Sequence, residues 1–520
     1  MMHSRRDLLR RTGLVGLLAG VGGIALPNRR AHAEALDYTA RETYDLFDRV
    51  FHDSGVVGQP TDTNEHGGLA WGQSYVLASF LRMYQAYQDD HYLDRLVHNA
   101  DLVLANRDNE RGVTDYTGRS LPAWRAMHPY TVGVATLADS AGRPLLEVRS
   151  ALAYADETPV TVTSGSSEQT FGLEIVSTKY GYRDELVDLS LDPASDRYAV
   201  DVIYQAYPTS LKVTARDVRS DRSNADVPVH GTVSFSSQPV IFAVHTGMIT
   251  YPLASFVRTV YRTPRLRSDA RYKAKADAYL EAVRGAIEAC DAEWREDGYF
   301  QWPKGMPVPY DGTEQPVNQS LTLGLTYAEI AAATGDTQLR ARATKLARML
   351  AGQLVRTDGD AYVWRYWPTF GHMYNGFTKT GDVATDISEY TPEYGSPGKG
   401  AQQYEDLSHG AIEVEFAALA FRHGLHFRGL DMVRFARTYT QNLATTDENG
   451  TATTVVRVDG SGGLAPSGQY LQAPRWMAVA PWDEQLFGHA HRIYVDHDVQ
   501  PGFGSGLACV AYLNWFARRD

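Results

Sequence analysis

The sequence predicts a mainly α-helical fold, an (α/α) toroid of four to five helical hairpins that carries an inserted β-rich, sandwich-like unit. Three observations predict it. First, a polar tetrapeptide opens two distant apolar-periodic runs, Trp71-Gly72-Gln73-Ser74 and Val317-Asn318-Gln319-Ser320, and the register continues through Leu77/Leu323, Asp90/Asp336 and Leu93/Leu339. Second, runs of the same shape open at His245-Thr246 and at Ser408-His409-Gly410. Third, between 130 and 244 the helical period gives way to alternation and β-branched residues. A helix-turn-helix unit cannot bury its apolar face alone, so such units stack. Ring closure is the expectation drawn from that stacking.

The elements follow in order. Residues 1–33 read as a twin-arginine signal peptide: Ser4-Arg5-Arg6-Asp7-Leu8-Leu9, an apolar run from Leu14 to Leu26, then Ala31-His32-Ala33. The apolar run is too short to span a membrane and has the length of a signal core. Export by the twin-arginine machinery, to the periplasm or beyond the cell, is the expectation. Residues 34–129 hold a lead helix (38–50) and the first hairpin (73–106), whose stripe is Leu77, Phe80, Leu81 and Tyr84. The insert, 130–244, has strand-like stretches at 146–148, 158–163, 171–175, 198–204, 211–214 and 240–244. The remainder, 245–520, holds hairpins at 245–294, 318–354 and 409–443, then a less regular portion from Arg475 that ends in a helix over 506–516. Pro252 is expected to kink or shorten its helix. Two irregular stretches, 300–316 and 366–404, are long enough to suggest a functional role.

Composition narrows the function. The 520 residues are 43% hydrophobic and 22% charged, an ordinary globular balance. The net charge of −12 becomes −17 once the six Arg and one Asp of the signal are removed. Such a surface repels phosphate backbones, so no nucleic-acid partner is expected, and a polyanionic glycan requires a locally basic groove. No stable membrane span is expected in the mature chain. The two cysteines, Cys290 and Cys509, read as buried free thiols. No Walker loop, G-x-G-x-x-G or G-x-S-x-G is present, and no cofactor or metal is expected. The 31 Tyr and 9 Trp offer stacking faces with polar tips.

The candidate site residues gather at helix starts. Gln73, His245, Gln319 and His409 occupy equivalent positions, and ring closure would turn them toward one cavity. Tyr404-Glu405-Asp406-Leu407-Ser408-His409 packs a phenol, two carboxylates, a hydroxyl and an imidazole together. His409, His245, Tyr404, Glu405 and Asp406 are the catalytic candidates, with Glu413 one turn below His409 to orient its ring. Trp71, Gln73, Asn318, Gln319, Trp364, Arg365, Trp367 and Tyr374 are the substrate-binding candidates. Trp302 and Trp482 are further stacking platforms, and Tyr390 and Tyr394 continue the aromatic loop. Asp483 and Glu484 are alternative acid–base carboxylates, and His489 with His491 forms an H-x-H pair of weak metal-binding character.

These residues resemble the helical-toroid proteins of carbohydrate metabolism, nearest the (α/α)-barrel domain of D-glucuronyl C5-epimerase-like proteins, with polysaccharide lyases and toroid glycosidases behind them. The resemblance rests on Trp71-Gly72-Gln73-Ser74, Tyr362-Val363-Trp364 and Glu405-Asp406-Leu407-Ser408-His409-Gly410. The tyrosine-rich motif at the end of epimerase chains has no counterpart here. The resemblance implies a glycan-facing enzyme. Three readings follow. A lyase or epimerase on a uronic-acid glycan, the favoured one, takes His409 or His245 as base, Tyr404 or Tyr374 as acid, and Gln319, Asn318 or Arg365 to neutralise the substrate carboxylate. A glycoside hydrolase pairs Glu405 or Asp406 with Asp483 or Glu484. A non-catalytic glycan-binding protein uses the β insert.

Overall fold

The computed structural model describes residues 35–519, apart from 151–158, 178–180, 208–212, 224–225, 381–385, 389–392 and 396. The signal segment and Tyr390 lie outside the described residues, as do parts of the strand-like stretches at 158–163 and 211–214.

The chain begins with helix α1 (Arg41–Ser54), which buries Tyr44, Phe47 and Phe51 along one face. A π-helical turn (Leu69–Gln73) leads into α2 (Ser74–Tyr87). Helix α2 buries Val76, Leu77, Phe80 and Met83 on more than one side, each worth roughly 1.5–3 kcal/mol of transfer free energy. It stops where Gln88 turns left-handed (φ 52°), and Asp89 caps α3 (Asp90–Ala105) by accepting from the His91 N–H at 2.9 Å.

The β insert follows. Its strands are β1 (Gly133–Ala138), β2 (Pro144–Ser150), β3 (Pro159–Ser164), β4 (Phe171–Ser177), β5 (Tyr182–Leu189), β6 (Thr214–Asp217), β7 (Gly231–Ser234) and β8 (Ser236–Ser237). They form two antiparallel four-stranded sheets, β6-β2-β1-β8 and β5-β4-β3-β7. The alternating residues Leu137, Leu146 and Val148 of one sheet share a core with Val160, Val162, Leu173 and Ile175 of the other. A short ladder of Arg125–Ala126 with Val240–Ile241 ties the two ends of the insert together. Two strand expectations are corrected. Residues 199–206 form a helix, α4 (Ala199–Ala206), because its buried residues Ala199 and Ile203 are spaced four apart. Strand 240–244 ends at Ile241, and the next helix begins at Ala243.

Helix α5 (Ala243–Arg262) runs through Pro252 without being shortened. It is buried on several sides against its neighbours, and that packing outweighs the local penalty of the missing N–H. Helices α6 (Ala270–Glu288), α7 (Val317–Thr334), α8 (Thr337–Gln353), α9 (Leu407–Arg422) and α10 (Gly429–Arg437) complete the expected hairpins. A 3-10 segment (Ala473–Trp482), α11 (Gln485–Asp496) and α12 (Gly504–Ala517) end the chain.

The inner elements touch in a closed order: α2 packs on α5, α5 on α7, α7 on α9, α9 on the 3-10 segment, that segment on α12, and α12 back on α2. Each has an outer partner, respectively α3, α6, α8, α10, α11 and α1. The expected four to five hairpins are therefore six pairs among the described residues. The portion from Arg475 supplies the fifth, and the two chain ends supply the sixth. The inner helices α7 and α9 are buried around nearly their whole circumference, while α8 buries only a stripe including Leu339, Ala343, Leu346 and Leu350. Cys290 and Cys509 are buried and unpaired.

The tightest helix contact lies at Gly247, where an added Cβ would fall 2.5 Å from the Leu323 backbone nitrogen. Gly247→Ala should destabilise the fold by about 1–3 kcal/mol through overpacking, read as a lower melting temperature. An unchanged melting temperature would mean that α5 and α7 do not pack this closely.

Candidate active site at the start of helix α9

Asp406 organises the site. Its Oδ1 accepts from the N–H groups of Ser408 (2.9 Å) and His409 (3.0 Å) and from the Ser408 hydroxyl (2.8 Å), capping α9. Its Oδ2 lies 2.6 Å from His409 Nδ1. One carboxylate thus starts the helix and sets the imidazole orientation. His409 Nε2 has no protein partner among the described residues, and the His409 side chain keeps 13% exposure. Burial alone would lower the His409 pKa, but the Asp406 carboxylate outweighs it and holds the imidazole above its ordinary value. Burial works to raise Asp406, and His409 outweighs that in turn, holding Asp406 ionised far below the usual carboxylate range.

Behind this pair lie two buried carboxyls. Glu405 accepts from the Asp406 N–H at 2.8 Å and from Asn318 Nδ2 at 3.0 Å. Burial pushes its pKa up, with His409 opposing and Asp406 reinforcing the rise. Glu413 takes the Trp364 indole N–H. Burial, then the charge of Glu405, raises it well above the ordinary value. Glu413 therefore does not orient His409 as its helical spacing suggested, since Asp406 already occupies Nδ1. Trp364 is completely buried and works as this donor, not as a stacking platform. Asn318 is likewise committed, to Glu405.

Tyr366 is the phenol beside the imidazole. Its ring centroid lies 5.5 Å from that of His409. Burial, then the Glu405 and Asp406 charges, keeps it protonated well above the usual phenol range. Tyr404 does not take this place. Arg365 covers its ring at 3.5 Å, and the Arg365 guanidinium also bonds the Gln402 carbonyl. Tyr366 stands within the aromatic run of the sequence, but nothing in one dimension distinguishes it from Tyr362 or Tyr374.

His245 sits among Trp71, Tyr130 and Phe242, which pack in the same aromatic cluster as Tyr366 and Trp367. Trp71 Nε1 donates to its Nε2 at 3.1 Å, Asn64 Nδ2 lies 3.1 Å from its Nδ1, and Tyr130 packs edge-on at 4.6 Å. Burial drives its pKa down to about 3, so it stays neutral, with Nε2 taken by the Trp71 N–H. That arrangement fits a structural histidine. Gln73 is fully buried, with neither side-chain polar atom hydrogen-bonded.

Trp367 packs against Trp302 at 6.4 Å, Tyr310 at 5.7 Å and Tyr366 at 5.4 Å, and Tyr374 and Tyr394 flank the same cluster. These aromatics come from the two long irregular stretches. Trp482 packs on Phe421 at the far end of α9, whereas Trp476 bonds the Leu407 carbonyl at its start. Asp483 and Glu484 follow Trp482, so roughly 20 Å of helix separates them from Glu405 and Asp406. A glycosidase pair needs about 5–9.5 Å, and this pair is not assembled. His489 bonds Tyr439 and the Thr445 carbonyl, while His491 stacks on Phe487, so the H-x-H pair does not converge.

Ligand-type atoms of Glu405, Asp406 and His409 lie within 4.8 Å of one another. The carboxylate oxygens are already engaged by the hydrogen bonds above, with which a cation would have to compete. A cavity of about 320 Å³ lies further along the inner helices, lined by Arg82, Tyr251, Glu329, Arg422 and Tyr512 among others. Its ionised groups pair with each other, Arg82 with Glu415 at 2.7 Å and Arg258 with Glu329. The His409 imidazole differs from these groups in having one nitrogen without a protein partner among the described residues.

No protein-family model matches the chain, and no curated protein matches it. Among solved structures, a family 76 glycoside hydrolase from a bovine Bacteroides thetaiotaomicron strain is similar over 69% of this chain and 99% of its own, at 9% identity and a TM-score of 0.27. A likeness of that size carries no inference about fold or activity, and the likeness to glucuronyl C5-epimerases finds no support in these comparisons.

Asp406→Asn keeps a cap acceptor but removes the charge that outweighs burial. The His409 imidazole should then titrate below its ordinary value of about 6.5 instead of above it. Proton NMR of the ring reads this directly, and an unmoved titration would dismiss Asp406 as its partner.

Proposed function

We propose that the chain is an exported carbohydrate-active enzyme that removes the proton next to the carboxylate of a uronic-acid residue, as lyases and C5-epimerases do. The observation that carries this reading is the juxtaposition of His409 and Tyr366, with Asp406 fixing the imidazole from behind. We read the closed circuit of six inner elements as an (α/α) toroid, and residues 1–33 as the twin-arginine signal that takes the precursor to the periplasm or beyond.

Neutral His409 takes the C5 proton on Nε2, and the Asp406 carboxylate stabilises the imidazolium that forms. In a lyase the C5–H electron pair forms the C4=C5 double bond, the C4–O4 bond breaks, and the Tyr366 phenol delivers its proton to O4. In an epimerase the phenol returns a proton to C5 from the opposite face. The acid role expected of Tyr404 or Tyr374 passes to Tyr366, the phenol beside the imidazole. The separation of the two carboxylate pairs counts against the hydrolase reading, which needs them across one bond.

The enzyme should generate ultraviolet-absorbing unsaturated uronates, or incorporate solvent deuterium at C5, on uronic-acid polysaccharides and not on neutral ones. New reducing ends with neither signal would sink the proposal. His409→Ala and Tyr366→Phe should each lower kcat by about 10²–10⁴-fold with little change in melting temperature. The acid limb of kcat/KM should have its midpoint above 6.5, the direction in which Asp406 holds His409.

A further inference from the structure

Four arginines are buried among the described residues: Arg82, Arg149, Arg219 and Arg475. Three meet a carboxylate, Arg82 with Glu415 at 2.7 Å, Arg149 with Glu147 at 2.8 Å and Arg219 with Asp217 at 2.7 Å. Arg475 is 7% exposed and has no carboxylate within ion-pair distance among the described residues. Its guanidinium lies over the Tyr75 ring, 4.7 Å from the centroid. A guanidinium with no carboxylate beside it is free to take one from an incoming ligand.

The position of Arg475 identifies that partner. Trp476, the next residue, bonds the Leu407 carbonyl, which fixes the 3-10 segment against the start of α9. The Arg475 charge is felt at His409. Tyr75 sits one turn beyond Trp71 at the start of α2, so Arg475 joins the 3-10 segment to α2 while Trp476 beside it joins that segment to the start of α9, the helix that carries His409. The planar fork of an arginine matches a carboxylate through two parallel N–H bonds. It also supplies the local positive charge without which this acidic chain would repel an anionic glycan.

We propose that Arg475 is the carboxylate-binding residue of this site, and that the sugar seated between Tyr75 and His409 is a uronate. This rests on the reading of His409 given above. When the C5 proton leaves, its electron pair spreads onto the substrate carboxylate, and the Arg475 fork receives that charge.

Binding, which requires no turnover, tests the proposal. A uronate trisaccharide, its carboxyl-reduced counterpart and a sulfated neutral trisaccharide are titrated calorimetrically against wild type, Arg475→Met and Arg475→Gln, with melting temperatures recorded for each. Wild type should prefer the uronate, and the loss of a charge-assisted hydrogen-bonded pair in Arg475→Met should weaken uronate binding by about 10- to 100-fold and abolish the preference. If Arg475→Met fails to fold, Arg475→Gln decides by the same criterion. A preference that survives either folded variant overturns the proposal, as does wild-type binding of the sulfated sugar alone. His409→Ala should keep the preference. Arg475-dependent uronate binding without unsaturated product or C5 exchange would leave this inference standing and remove the proposed reaction. Turnover with an Arg475-independent preference would do the reverse.

Discussion

Inner helices that are apolar on nearly every side must be enclosed on every side, and this constraint organises the molecule. A helix such as α9, buried continuously from Gly410 to Ala420, needs an outer partner and a neighbour on each flank. Each inner element meets that need for the next, and the circuit ends only when α12 reaches α2. The chain termini are drawn into the wall by the same requirement. Gly247 shows how close the approach becomes, with space for no side chain against the α7 backbone.

The site is built from the electrostatics of one helix terminus. Asp406 is held ionised by the N–H groups it caps and by the imidazole it orients, while Glu405 and Glu413, deeper in the wall, are pushed toward their neutral forms. Neighbouring carboxyls with opposite shifts separate a permanent anion from proton-holding groups. Asn318 on α7 and Trp364 before the long loop hold these two carboxyls and partly oppose the rise that burial drives, so three separate regions of sequence shape the charge around one imidazole.

Local signals were legible in proportion to how local their physics is. The helix starts, the Asp336 cap after Thr334-Gly335 and the strands of the insert follow from periodicity and turn chemistry, which act over a few residues. Pairing of α1 with α12 was not legible, because it joins residues at opposite ends of the chain. Helix α4 was misread because a short apolar run fits both periods. Among the site residues, the Asp406–His409 link was readable as a cap and an i, i+3 neighbour. The engagement of Asn318, Trp364 and Arg365, the enclosure of His245 and, among the described residues, the lack of a carboxylate at Arg475 were not, since each depends on what a distant segment brings within a few ångströms.

The sequence by itself determined a mainly helical chain with a β-rich insert and a cluster of ionisable groups opening the fourth hairpin, because patterning and capping are encoded over short spans. Only the tertiary structure decided which equivalent positions differ in chemistry. His245 and His409 begin helices of similar pattern, yet one is enclosed by Trp71, Asn64 and Tyr130 and kept neutral, while the other faces a carboxylate and leaves a nitrogen without a protein partner among the described residues. Protonation and access are properties of surroundings assembled from the whole circuit, and no short stretch of the chain contains them.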